Sequence, residues 1–345
     1  MDQQTPMRLD RRTFLKVSVA AGGAILVGTS LSSCLPGAAR KPLFEGQTGG
    51  VGMTSTVNHA TFHIGEAKGF FAEEGIKNVI TEFQGGSDVV RGLTEGGMNW
   101  PIPAVSPSIS AFMQGAPIRI IAGQWAAAST IAFAVKPDAT YQSIQDLKGK
   151  KIGYSRPASL THFFALKAIR AAGLNESDFT LVSVGGAAES WTALKTGVVD
   201  CSWQVDSNAV QGTMDKSLKV LFWAHELVKD WQETVIASRP DYIKGNADVL
   251  KRFLRAYQKT MDWQTNNLDE AAKLWADAVK IDITVATQLM KAAPKTAFTT
   301  KLSVGGLQVA EESMREFKLI DKPVPWKDLV DQSLLAKELQ VTLPG

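Results

Sequence analysis

Residues 151–203 read KIGYSRPASLTHFFALKAIRAAGLNESDFTLVSVGGAAESWTALKTGVVDCSW. Residues 151–154 have the short apolar character of a strand, and residues 160–171 that of a helix. Residues 179–184 return to strand, 188–195 to helix and 198–203 to strand. Strands and helices in strict alternation imply a mainly parallel sheet with helices on both faces.

The same alternation precedes this stretch. Residues 51–56 read as a strand followed by a helix through Lys68, and residues 78–83 as a strand followed by a short helix from Ser87-Asp88 to Leu93. Residues 117–122 and 131–135 are apolar and β-branched. Beyond Arg239 the character changes. Residues 240–292 are helical almost throughout, with Leu250, Phe253, Leu254 and Tyr257 at helical spacing, and further helices are expected at 305–317 and 326–338. A chain that starts one α/β lobe, builds a second and returns with helices makes a two-lobed α/β protein. Lobe 1 is expected over 48–136 and 237–345 and lobe 2 over 137–236. Hinges should lie near Val135-Lys136-Pro137 and Ile236-Ala237-Ser238. Ligands of open α/β sheets sit beyond the carboxyl ends of the strands, so two facing lobes form a cleft able to close on a solute.

The N-terminus carries a separate signal. Arg11-Arg12-Thr13-Phe14-Leu15-Lys16 precedes a run over 17–31 rich in Ala, Gly and Ser, and Leu31-Ser32-Ser33-Cys34 follows. The twin arginine Arg11-Arg12 reads as a Tat export signal. The run is too short and too mild to span a bilayer. Leu-Ser-Ser-Cys resembles a lipobox, so residues 1–33 are expected to be removed, Cys34 lipidated and residues 34–47 left as a tether. About 310 residues then remain, a length that suits two domains. Their acidic and basic side chains nearly balance, which argues against a nucleic-acid partner and against a polybasic membrane patch. With Cys34 lipidated, Cys201 has no disulfide partner and reads as a small buried hydrophobe.

Four motifs carry a family resemblance. Gly65-Glu66-Ala67-Lys68-Gly69-Phe70-Phe71-Ala72-Glu73-Glu74-Gly75-Ile76 follows Asn58-His59. Gln114-Gly115-Ala116-Pro117-Ile118 comes next, then Ser143-Ile144-Gln145-Asp146-Leu147-Lys148-Gly149-Lys150-Lys151-Ile152-Gly153, then Ala193-Leu194-Lys195-Thr196-Gly197-Val198-Val199-Asp200. In order and spacing these resemble the solute-binding proteins of bacterial ABC transporters. The branch is the one that serves nitrate, sulfonates, taurine and the pyrimidine precursors of thiamine. The resemblance spans roughly residues 50–240. It implies a type II periplasmic-binding fold, no catalysis, no cofactor, and a permease with its ATPase as partners. One departure stands out: Asn99, followed by Trp100-Pro101-Ile102-Pro103, occupies a place where the family commonly has Asp.

Four loops are expected to line the cleft. The first, 56–61, offers Asn58, His59 and Thr61, and Asn58-His59 resembles the ligand-facing pair of the pyrimidine-precursor branch. The second offers Ser87 and Asp88 after Gly85-Gly86, whose missing side chains permit close backbone approach; Asp88 reads first as a helix cap. The third offers Pro103 and Ser106. The fourth, Arg156 to His162, stands where the family has G-S-x-T. There Ser159 and Thr161 add hydroxyls to a helix N-terminus suited to an anion, and Arg156 is either a charge for the solute or a solvated cation. Asp206 is either a ligand contact or a lobe-to-lobe bond. Nine Trp against four Tyr is high. Trp100, Trp125, Trp191 and Trp203 all fall near expected strand ends or cleft loops and could form an aromatic wall for a ring or a cation, with core and lobe-interface packing the alternative for at least half of them, whereas Trp263 and Trp275 read as core. His59 and His63 have metal-ligand spacing on a helix, but no cysteine pair or histidine-rich loop joins them, so no metal is expected. A hydrogen bond to solute suits His59 better, and packing suits His63.

The expected function is therefore a lipid-anchored, extracytoplasmic component of an ABC importer that captures a small aromatic or anionic solute. It would be a monomer at the periplasmic or outer face of the cytoplasmic membrane, exported by the Tat translocase. A sensor on the same fold is one alternative. Another is a pyrimidine-precursor enzyme that consumes its own histidine, although the cysteine cluster of that branch has no counterpart beyond Cys34 and Cys201.

Overall fold

The computed structural model describes residues 43–345, so Arg11, Arg12, Cys34 and the export signal they belong to lie outside the described residues. The first strand, β1 (Phe44–Gly50), is followed by α1 (Ala60–Lys68), α2 (Phe70–Glu73) and β2 (Ile76–Glu82). Next come α3 (Gly86–Thr94), α4 (Val105–Met113), β3 (Arg119–Trp125) and β4 (Ile131–Val135). The second series holds β5 (Lys151–Tyr154), α5 (Leu160–Ala171), β6 (Thr180–Ser183), α6 (Ala187–Thr196), β7 (Cys201–Val205), α7 (Asp206–Met214) and β8 (Lys219–Trp223). After β9 (Thr234–Ser238) the chain is helical: α8 (Pro240–Asn266), α9 (Leu268–Val279), α10 (Ile283–Ala292), α11 (Val304–Glu316) and α12 (Trp326–Leu329).

The motifs of the sequence turn out to be backbone punctuation. Gly69 ends α1 in the left-handed region at φ 75°, a conformation that costs glycine nothing, and sends Phe71 inward to stack near Phe253 at 5.9 Å. Ser143 and Asp146 form a reciprocal capping box over the turn Ile144–Leu147. That turn buries Leu147 fully and delivers the chain into β5.

In lobe 1, β1 runs parallel to β2, and β3 antiparallel to β9. Residues 99–103 join the two pairs. Asn99 and Ile102 donate to the Gln47 and Gly49 carbonyls of β1, each at 2.8 Å. The carbonyls of Pro101 and Pro103 accept from Ala237 and Val235 of β9 at 3.1 and 3.0 Å. Both prolines thus occupy places where only a carbonyl is used. Lobe 2 is one sheet in the order β6-β5-β7-β4-β8. It is mixed: β5 is parallel to β6 and β7, and β4 is antiparallel to β7 and β8.

The structure moves several boundaries. Residues 44–47 are strand rather than tether, because β1 pairs with β2 along its full length. Residues 51–55 form a turn rather than a strand. Expected hinge residues Val135 and Ile236 lie within paired strands, β4 on the lobe 2 sheet and β9 on lobe 1. The crossings therefore fall earlier, at residues 126–130 and 224–233. The helix expected over 326–338 is only α12 and a later single turn, Lys337–Leu339.

Candidate functional site

A cavity of about 40 Å³ lies where the lobes meet, room for about three waters. From lobe 1 it is lined by Val51, Thr56, Asn58 and His59, by Gly86 and Val89 at the start of α3, and by Ile102 and Ala104. Lobe 2 contributes Ser155, Ser159, Leu160 and Thr161 before and within α5, and Trp203 and Val205 of β7. The crossings add Thr130, with Ile131 of β4, and Glu233, with Thr234 of β9.

Each wall has a local cause. Asn58 and His59 belong to a single turn, Val57–His59, that leads into α1 and is wholly buried. Gln124 of β3 fixes that turn by donating to the Asn58 carbonyl at 2.6 Å. Ser159 caps α5, accepting from the His162 N–H. Its hydroxyl also meets those of Ser155 and Thr161, both at 3.0 Å, while Ser155 and Thr161 meet at 2.8 Å. These three hydroxyls satisfy one another.

Burial controls the charges. His59 is lowered to about 3, first by desolvation and then by the proximity of His63, so its ring is neutral. Glu233 is raised to about 8, chiefly by desolvation, against the pull of the Thr130 hydroxyl that it accepts. Asp206 is likewise raised to about 8 by burial, although its carboxylate accepts from the Val57 N–H at 3.0 Å and the Ser207 N–H at 2.7 Å.

Of the residues singled out in the sequence, Asn58, His59, Ser159, Thr161 and Trp203 line the cavity. Asp206 lies outside the lining and forms the lobe-to-lobe bond to Val57. Asp88 does not cap α3, whose N-cap is Gly85 and has no side chain to accept from the first turn; instead it holds Arg91 at 2.8 Å and Arg156, from the opposite lobe, at 3.3 Å. Arg156 is thereby committed to a carboxylate rather than directed into the cavity. Ser87 faces a surface groove beside Arg91 and Pro107. Thr61, Pro103 and Ser106 are buried away from the lining. Trp100 and Trp125 are core rather than wall: Trp100 stacks on Phe253 at 4.7 Å, and Trp125 meets Phe298 edge-on at 4.8 Å. No group of metal-ligating side chains occurs among the described residues. Thr130 and Glu233 were not legible as site residues, since a polar pair in a connection ordinarily reads as solvated.

A family model described as NMT1/THI5 like matches residues 56–271. A protein of Bacillus subtilis (strain 168) named for binding aliphatic sulfonates is 27% identical over 286 residues, covering 80% of this chain and 84% of its own length. The 4-amino-5-hydroxymethyl-2-methylpyrimidine phosphate synthase THI5 of Saccharomyces cerevisiae is 23% identical over 234 residues, covering 65% of this chain and 67% of its own. Among solved structures, the alkanesulfonate-binding protein SsuA from Xanthomonas axonopodis pv. citri, bound to MOPS, superposes with a TM-score of 0.72 at 17% identity. That match covers 84% of this chain and 99% of SsuA, and it establishes a shared fold.

Proposed function

This chain belongs to the NMT1/THI5-like family, and from that premise we propose that it is the extracytoplasmic solute-binding component of an ABC importer. The observation that carries this reading is a cavity walled by both lobes at the segments where the chain crosses between them. Such a site is completed only when the lobes meet, so a solute touching both walls favours the closed arrangement. Asn58, His59, Ser159, Thr161, Trp203, Thr130 and Glu233 are the residues proposed to meet it. The same reading has Arg11-Arg12 direct Tat export and Cys34 hold the protein to the membrane by lipid. Cys34→Ala should then release it from the membrane fraction, and Lys at both arginines should keep it in the cytoplasm.

Binding is favoured over the synthase activity in the name of the yeast relative, because the relative with the higher identity and the solved neighbour are both named for binding. A thermal-shift screen of the purified chain tests this. The panel holds nitrate, taurine, aryl sulfonates, aromatic acids, thiamine-type pyrimidines and small organic cations. A true solute at a hundredfold its Kd adds about 2.7 kcal/mol. A clear rise with one class supports the receptor, and a flat response to every class overturns it.

A further inference from the structure

Four buried polar side-chain atoms on the cavity wall lack partners, the oxygens Asn58 Oδ1 and Glu233 Oε2, the ring nitrogen His59 Nδ1 and the donor Trp203 Nε1, and no cation lies on that wall. Glu233 is 1% exposed. Its Oε1 accepts the Thr130 hydroxyl, while Oε2 has no hydrogen-bond partner. Asn58 and His59 line the same space, and Asn58 Oδ1 and His59 Nδ1 are also without partners. No lysine or arginine is among the lining residues. Arg156, on the neighbouring loop, is held by Asp88 at 3.3 Å, and the Ser155, Ser159 and Thr161 hydroxyls are taken up by one another. A buried carboxylate with a free oxygen is costly unless a positive charge or an N–H donor meets it. A sulfonate is compatible only with the protonated form of Glu233, because the ionised form would set a second negative charge against it in a low-dielectric space.

Resting on the receptor reading above, we propose that the solute is a small organic cation bearing N–H donors, of amidinium or protonated heteroaryl-amine type. Its N–H groups would be taken by Glu233 Oε2 and Asn58 Oδ1, with the Trp203 ring beside the cation. Such a molecule exceeds the cavity of about 40 Å³, so the lobes part to admit it. The titratable groups facing Glu233 are Asp206 from α7 and His59 from the turn before α1. His59 is neutral, and both acids are raised by burial to about 8. A cation needs Glu233 ionised. Binding therefore expels a proton, and affinity climbs as pH rises toward about 8 and then levels.

Calorimetric titration of the purified chain and of E233Q tests this. The probes are benzamidinium and 4-aminopyridinium, set against benzenesulfonate and methanesulfonate, at about pH 6.5 and about pH 8.5. The expected result is binding of at least one cation, several-fold tighter at the higher pH and at least tenfold weaker in E233Q. E233D keeps the charge but withdraws it by one methylene, and serves the same comparison if E233Q does not fold. Cation binding that is indifferent to both variants overturns the role of Glu233. Sulfonate binding with silent cations overturns the inference and leaves the receptor intact. Silence of all four probes on folded protein overturns the inference, and the wider screen then decides the receptor reading separately.

Discussion

At Glu233 and Asp206 the fold holds two carboxyls that prefer to be neutral. Both are raised to about 8 from ordinary values of 4.5 and 3.8. Between those limits the folded chain binds protons that the unfolded chain has released, so this contribution to stability is complete at acid pH and is lost as pH rises toward about 8. Glu233→Gln removes one such group. The variant should melt above the wild type near pH 8, with the gap narrowing near pH 5; calorimetry at the two values checks it, and a wild-type advantage that widens toward pH 8 would contradict it. The tryptophans separate in the same manner. Trp100 is fully buried, its Nε1 donates to Asn78 Oδ1 at 3.0 Å, and it lies on Gly46, where a Cβ would come within 1.8 Å of the ring. Trp100→Ala should cost about 3–5 kcal/mol yet leave the solute affinity of the folded fraction unchanged. Trp203→Phe should weaken binding with a smaller loss of stability. Isothermal titration beside thermal melts distinguishes the two.

Among the elements, what could be read from the sequence was local chemistry. The Ser143–Asp146 box, with Asp146 accepting from the Gln142 and Ser143 N–H groups at 2.8 and 3.0 Å, needs only five neighbouring residues. Gly149 and Gly197 hold positive φ of 76° and 75° at turns, so those motifs marked true breaks. Ser143→Ala should accordingly cost about 1 kcal/mol without altering solute affinity, and denaturant melts beside titration would show it. The illegible parts depend on distant partners. Strand β1 has the sequence FEGQTGG, with no alternation to announce it, and it is a strand because β2, residues 99–103 and the Trp100 ring cover it. The site divides similarly. Asn58, His59, Ser159 and Thr161 sit in turns with recognisable patterns. Glu233 is held between Trp125 of β3 and Val105 of α4 through its backbone N–H and carbonyl, with its side chain on the Thr130 hydroxyl, and nothing in Gln232-Glu233-Thr234 records that.

At the scale of the whole molecule, besides the contacts of α5 with α11 through Lys167–Ser313 at 3.3 Å and Arg170–Glu316 at 3.6 Å, three links join the lobes beside the cavity. The Val57 N–H reaches Asp206 Oδ2 at 3.0 Å, the Gly186 N–H reaches Gln84 Oε1 at 2.7 Å, and the Arg156 Nε reaches Asp88 Oδ2 at 3.3 Å. They hold the lobes in an arrangement too tight for a ring-bearing solute, so capture requires an open state in which these links are broken. Of the three beside the cavity, the Asp88–Arg156 pair is the ion pair, with side chains 16% and 43% exposed. A pair of that exposure contributes about 0.2–1 kcal/mol, enough to shift a nearly balanced open–closed equilibrium but too little to threaten the fold. Asp88→Lys replaces attraction with repulsion in the closed form alone. The variant should show a larger radius of gyration by small-angle scattering and weaker solute binding, with an almost unchanged melting temperature. High salt should return both toward wild type, because the repulsion is screened within about 10 Å. Arg91→Ala is the control, since Arg91 contacts Asp88 from within α3 and does not cross the cleft. If Asp88→Lys left the scattering profile and the affinity at wild-type values, the lobes would not be balanced near closure, and the Asp88–Arg156 pair would play no part in holding them shut.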